Sequence, residues 1–186
     1  AFYACSSLTS VNIPSGVKAI EQSLFYDCAS LTSLLIPEGV TSIGPYAFNG
    51  CSGLTTLIIP KGVTSIAHDA FANCTGLVSM TIPSGVVKID EDLFYGCSGL
   101  VSVSLPDSVT SIEMYAFFGC SALTSIDLPD SLTTIGELAF FECKSLTSIV
   151  IPASVTFIGG NAFAACNALI QFGVADDNTL FSTVDG

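Results

Sequence analysis

The 186-residue sequence predicts an α/β repeat fold, a right-handed solenoid with parallel β-strands on its concave face and short helical or 3-10 turns on the return side. The cysteines recur every 23 residues without a slip, at Cys5, Cys28, Cys51, Cys74, Cys97, Cys120, Cys143 and Cys166. Phe keeps the same period from position 2 to position 163, and Pro keeps it from position 14 to position 152. A fixed period of this size is typical of solenoids, whose stacked copies bury a column that one copy cannot bury alone.

The first element of each repeat is a short strand. The third, sixth and eighth residues after each Cys are apolar, as in Leu54, Leu57 and Ile59, and the last positions of this L-x-x-L-x-L pattern alternate inward and outward. Pro follows at once, which fits a strand end because Pro cannot donate a ladder hydrogen bond. We expect strands of about five residues, stacked at ~4.8 Å per repeat.

The rest of the repeat is a second segment and a return. The pattern V-x-x-I, as in Val63 and Ile66, indicates a second short extended or turn segment. The stretch that follows, such as residues 68–74, is expected to form one helical turn or a 3-10 segment that closes on the next Cys. A small residue or Leu, then the Phe, then the Cys complete the inward set of each repeat.

Composition excludes several classes of partner. Four Lys, no Arg and sixteen acidic residues give a net charge of −12, which repels phosphate backbones and anionic lipid. We therefore expect no nucleic-acid partner. No window approaches the ~18 uninterrupted apolar residues of a membrane span, so we expect no membrane insertion within this segment. No signal peptide is visible, because the chain opens within a repeat and without a charged leader.

The cysteine column has three interpretations. A row of single cysteines does not converge on one point, as a tetrahedral metal site requires. Disulfides are a closer alternative, because neighbouring Cα atoms fall within bridging range, but stacked side chains point the same way and bridging would distort the stack. The favoured interpretation is a small buried thiol that fills an inner corner and faces a backbone carbonyl.

No residues form a catalytic, cofactor or metal site in this pattern, and we predict that the protein is not an enzyme. His68 is the one candidate base, and its neighbour Asp69 is expected by chance on the return side. The acidic run Asp90, Glu91 and Asp92 offers oxygen ligands but lacks the interleaved spacing and the turn glycine of an EF-hand loop. A solvated edge is the favoured interpretation of this run.

The repeat resembles a known family. The patterns L-x-x-L-x-I-P, V-T-S-I-G and A-F-x-x-C, carried by residues 54–74 and 123–143, are similar to the BspA-like leucine-rich repeats. The resemblance covers residues 1–174, about eight 23-residue repeats of which the first is incomplete. Residues 175–186 depart from the repeat and are similar to the segment that closes such arrays. The resemblance implies a leucine-rich-repeat solenoid in an extracellular or cell-surface protein that binds host or matrix proteins.

Outward positions supply the candidate binding residues. The fifth and seventh residues after each Cys face away from the core and predict a concave protein-binding face that includes Ser33, Leu35, Thr56, Ile58, Thr81, Ser104, Asp127 and Val150. A secondary aromatic edge follows the Phe column and consists of Tyr26, Tyr95, Phe118 and Phe141. Packing of neighbouring rungs on each other is the alternative explanation for both sets.

These observations favour a non-enzymatic module that binds a protein partner through its concave strip, within a larger cell-surface or secreted protein. The alternative is a purely structural spacer with no ligand of its own. A third idea, ordered-water or ice binding by the Thr and Ser rows, conflicts with the expected curvature. No cofactor is expected. The oligomeric state is left open, and unpaired end rungs leave room for end-to-end association.

Overall fold

A computed structural model describes residues 1–182 of the chain. All strand pairs in this part of the chain are parallel, and none of its residues is helical, so no helix there is long and apolar enough to cross a membrane. The strands are β1 (Ala19–Ile20), β2 (Ser42–Ile43), β3 (Ser65–Ile66), β4 (Ser79–Thr81), β5 (Lys88–Ile89), β6 (Ser102–Ser104), β7 (Ser111–Ile112), β8 (Thr134–Ile135), β9 (Ser148–Ile151), β10 (Phe157–Ile158) and β11 (Gln171–Val174).

Two parallel ladders run along the array, although residues 123–128 form no strand or bridge in either. The V-x-x-I segments build one ladder, in the orders β1-β2-β3 and β5-β7-β8-β10, which confirms that the second segment is extended. The L-x-x-L-x-L segments build the other ladder through β4-β6, β9-β11 and the bridges from Asn12 to Leu35 to Ile58. These strands have at most four residues, so the expectation of about five was wrong. The right-handed sense of the coil and the concave placement of the strands stay predictions.

The return segments are successive turns rather than the expected helical or 3-10 turns. Ser23, Phe25 and Asp27 each donate their N–H to a carbonyl of the next rung at 2.8–2.9 Å. Leu24 and Tyr26, which lie between them, bond back to the residue three positions earlier at 3.2 and 3.3 Å. Ser23 and Asp27 have φ angles of 52° and 54°, a left-handed conformation that a right-handed helix cannot continue through. Alternate amides therefore tie one rung to the next, and the return side is a ladder of turns.

The core is a set of columns that run along the solenoid. Six Phe rings, from Phe25 to Phe140, are fully buried and stack on one another with centroids 5.1–5.7 Å apart. The inward Leu, Ile and Val positions of both ladders lie in the same cluster. Within residues 1–182 no buried side-chain nitrogen or oxygen lacks a hydrogen-bond partner. The predicted inward positions are therefore confirmed.

Residues 175–182 lie against the last rungs of the array. The side-chain amide of Asn178 donates to the carbonyls of Pro152 and Val155 at 2.9 and 3.2 Å. The oxygen of the same side chain accepts the N–H groups of Leu180 and Phe181 at 2.9 Å. One side chain thus ties the tail to the turn at residues 152–155, whereas residues 183–186 of the predicted closing segment lie outside the described residues. The boundary at residue 174 stays a prediction.

Candidate functional site

The outward residues of the L-x-x-L-x-L ladder form one continuous surface. We call it the strand face and define it by the predicted set Ser33, Leu35, Thr56, Ile58, Thr81, Ser104, Asp127 and Val150. Leu35, Ile58 and Val150 have 76%, 77% and 56% of their surface exposed, whereas Leu34 and Leu57 beside them are buried. The alternation follows from the strand geometry, in which successive side chains point to opposite faces. The structure therefore brings the predicted residues together, in register, on one surface.

A groove follows the strand face from Glu38 to Asp177. Its first section, of about 800 Å³, is lined by Ile58, Thr81 and the rim residues Glu38 and Lys61. Sections of about 310 and 230 Å³ continue it past Ser104 to Val150, and they share Asp127 as a common wall. A last section of about 350 Å³ lies between Asp130 and Asp177. Because successive sections share lining residues, the groove is continuous over most of the array.

The rim of this groove contains residues that were not predicted from the sequence. Glu38, Lys61 and Asp130 each follow the Pro that ends a strand, and Asp177 lies in the tail. The signal was nevertheless present, since the residue after Pro varies from repeat to repeat just as the seventh position after Cys does.

The apolar part of the strand face is concentrated at its N-terminal end. Leu35 and Ile58 are paired across neighbouring rungs in the parallel bridge. Beyond them the same column continues with the polar residues Thr81, Ser104 and Asp127 and then with exposed Val150. Two large apolar side chains therefore lie side by side and exposed.

The aromatic edge is two separate stacks. Tyr26 stacks on Tyr3 with ring centroids 4.8 Å apart. Phe118 lies between Tyr95 and Phe141, at 4.9 Å from each. Within these two stacks, only Phe118 has a ring stacked on both faces, whereas Tyr3 and Tyr95 keep 62% and 36% of their surface exposed. This arrangement supports packing between rungs as the role of the aromatic edge.

The cysteine column is a row of free thiols. From Cys28 to Cys166, each Sγ–H donates to the carbonyl of the Phe 26 residues earlier, with Sγ to oxygen distances of 3.0–3.3 Å. Burial raises the pKa of Cys51 and Cys97 to about 12, so these thiols are protonated and unreactive at neutral pH. Cys5 alone is exposed. The seven cysteines from Cys28 to Cys166 therefore fill the inner corner and face a carbonyl, as predicted, and Cys5 does not.

Two acidic residues of the return side lie close to basic neighbours. His68 Nδ1 lies 3.0 Å from Asp69, and Lys88 lies 3.2 Å from Asp90. Burial raises the pKa of Asp92 to about 6, and the nearby charges of Asp69 and Glu91 add to the shift. Within residues 1–182 no group of three or more His, Cys, Asp or Glu side chains is placed to hold a metal ion.

Comparisons with known proteins agree with the repeat architecture. A family model described as BspA type leucine rich repeat region matches residues 1–101 and 87–183, with six copies. A leucine-rich repeat protein from Bacteroides ovatus is 29% identical, with a TM-score of 0.77, over 95% of this chain and 57% of that chain. A leucine rich cell surface protein from Faecalibacterium prausnitzii is 38% identical, with a TM-score of 0.66, over 96% of this chain and 41% of that chain.

A third similar structure is the leucine rich repeat protein of T. pallidum, 28% identical with a TM-score of 0.59 over 89% of this chain and 69% of that chain. No curated protein matches the chain. The chain spans 57% and 41% of the lengths of the Bacteroides and Faecalibacterium proteins. Because the family model matches nearly the whole sequence, the chain belongs to the family of BspA type leucine-rich repeat proteins.

Proposed function

We propose that this chain is a non-enzymatic protein-binding module of a larger cell-surface or secreted protein, and that it binds its partner through the strand face. The observation that carries the proposal is the continuous groove along this face, with Leu35 and Ile58 exposed at one end. Solenoids generally bind along an extended face that their repeats build together. The description of the Faecalibacterium relative as a cell surface protein supports the compartment.

The mechanism follows from the rigidity of the array. Both ladders and the turn ladder fix the backbone on each rung before any partner arrives. A preformed surface loses little conformational entropy on binding, so modest contacts over many rungs can add to a useful affinity. The exposed Leu35 and Ile58 supply the apolar part of those contacts.

The test is a binding comparison with purified matrix and serum proteins, measured by surface plasmon resonance on the immobilised chain. The variant L35S/I58S/D127S changes the strand face. The matched control V87S/F157S changes two side chains that are also more than half exposed, on the other ladder. We expect at least one protein to bind the wild type and the control and to lose about tenfold or more in affinity for the strand-face variant.

Two outcomes contradict the proposal. Undiminished binding to the strand-face variant would place the contact on another surface. The absence of any binder, in a panel that saturates a related surface protein under the same conditions, would favour a spacer with no ligand of its own.

A further inference from the structure

The two ends of the strand-face groove differ chemically. If the proposed function holds, this difference limits the kind of partner that the groove can bind. Exposed Ile58 lines the first section, and exposed Leu35 lies beside Ile58 on the neighbouring rung. The two rim charges of this section, Glu38 and Lys61, are of opposite sign. The far sections contain Asp127, Asp130 and Asp177 among their lining residues, and no Lys. One end of the groove therefore has two adjacent apolar side chains and balanced rim charges. The other end is acidic, with Val150 as an exposed apolar residue among the carboxylates.

The acidic end is available to a partner. Asp127, Asp130 and Asp177 are all exposed, and none of them forms an ion pair within residues 1–182. They belong to a chain with a net charge of −12, so the field over this end repels anions. A partner that carries Asp, Glu or phosphate at this end meets like charge, which selects against it.

The distance between the two ends fits a short extended segment. Leu35 and Asp127 lie four rungs apart and Ile58 and Asp127 three, which corresponds to about 14 to 19 Å along the solenoid at ~4.8 Å per rung. An extended chain advances about 3.3 Å per residue, so four to six residues span the gap. A single peptide segment is therefore long enough to touch both ends.

We propose that the strand-face groove binds an extended cationic segment of a protein partner. Apolar side chains of that segment pack on Leu35 and Ile58, and its Lys or Arg side chains lie over Asp127, Asp130 and Asp177. The apolar contact removes two exposed side chains from water, which supplies affinity. The charge contact supplies orientation and selectivity and makes binding depend on salt.

A pair of synthetic peptides tests this assignment. The first has three Leu at one end, a five-residue Gly/Ser spacer that reaches about 17 Å, and three Lys at the other end. The second replaces the three Lys with Gln. Binding of each fluorescein-labelled peptide to the chain is measured by fluorescence anisotropy at about 50 and about 500 mM NaCl, where screening lengths differ severalfold.

Three variants assign the contact. We expect D127N/D130N/D177N to weaken the Lys peptide about tenfold at low salt and to leave the Gln peptide unchanged. The control E21Q/E91Q/E137Q removes the same number of charges from exposed positions on the return side, and we expect it to change affinity less than about twofold. L35S/I58S is expected to weaken both peptides.

The outcomes separate this inference from the proposed function. Equal binding of the Lys and Gln peptides, lost in L35S/I58S, would overturn the cationic partner while leaving a protein-binding strand face intact. Equal loss in the two charge variants would mean that the net charge of the chain, rather than the groove, attracts the peptide, and it would also overturn the inference. Failure of both peptides to bind would also overturn the inference. The panel of matrix and serum proteins tests binding by the strand face independently of these peptides.

Discussion

The Phe column and the strand face extend along the same solenoid, but they differ in how much their residues vary. On every rung from Phe25 to Phe140 the column has the same fully buried ring, in contact with the rings above and below. The seventh position after Cys instead holds Asn, Leu, Ile, Thr, Ser, Asp, Val and Gly in turn, and most of these residues are exposed. A buried column must match itself on every rung, because each ring packs on its own copies. The outward position has no such requirement, so a repeat can change its surface without changing its fold.

The largest expected effect comes from breaking the Phe column. Phe94 is fully buried and stacks on Phe71 and Phe117 at 5.7 and 5.3 Å, so F94A is expected to lower the free energy of unfolding by about 3–5 kcal/mol. Phe163 is only partly buried and has one stacked neighbour, so F163A is expected to cost at most about half as much. Urea denaturation followed by circular dichroism measures both variants. Equal losses of unfolding free energy in F94A and F163A would show that the contribution of the Phe column to stability does not depend on burial.

The columns could be predicted from the sequence because the period fixes them. Once Cys and Phe recur at 23 residues, each must lie above its own copies, and the L-x-x-L-x-L alternation then separates inward Leu57 from outward Ile58. The rim of the groove could have been found in the same way, from the variable residue after each Pro.

The return turns could not be predicted from the same pattern. The residue just before each Cys has a positive φ, and at five of the eight sites it is Gly, Asn or Asp, the residue types that favour this conformation. The other positive-φ position, five residues before Cys, is Asp or Asn at three of its seven sites and Ser, Tyr or Leu at the other four, so the residue types give a weaker signal there. Hydrogen bonds to the next rung impose the conformation there, and a single repeat does not reveal them.

A smaller effect is expected from the cysteine column. C97A removes a buried sulfur and its 3.0 Å hydrogen bond to the Phe71 carbonyl, so we expect a loss of about 1–2 kcal/mol in the free energy of unfolding. C5A is the matched control, because Cys5 is exposed, and it is expected to cost less than about 0.5 kcal/mol. If the two variants were equally stable, the buried thiol would not contribute to the stability of the fold.

The next effect depends on pH and involves the return side. The pKa of Asp92 is about 6, above the ordinary value near 3.9, because burial and the charges of Asp69 and Glu91 disfavour the carboxylate. The folded state therefore binds the proton more tightly than the unfolded state. The stability that this residue contributes is present below about pH 4 and is lost as the pH rises through about 6.

D92N removes this titration, and Asn tolerates the φ of 54° at position 92. We expect the Tm of D92N relative to the wild type to rise between pH 4 and pH 7, by a few degrees at most, as measured by thermal denaturation at each pH. E21Q serves as the control at an exposed position. A difference in Tm that stays constant with pH would contradict the raised pKa of Asp92.

The smallest effect on stability is expected at the strand face, and it provides the most direct test of the account. The central claim is that the inward columns hold the solenoid together while the strand face is free to bind. The measurement is the free energy of unfolding of L35S/I58S/D127S, determined together with its affinity for a protein that binds the wild type. We expect the free energy of unfolding of this variant to lie within about 0.5 kcal/mol of the wild-type value, and its affinity for the partner to be lower by about tenfold or more. A destabilised variant, or a stable one that binds as tightly as the wild type, would contradict it.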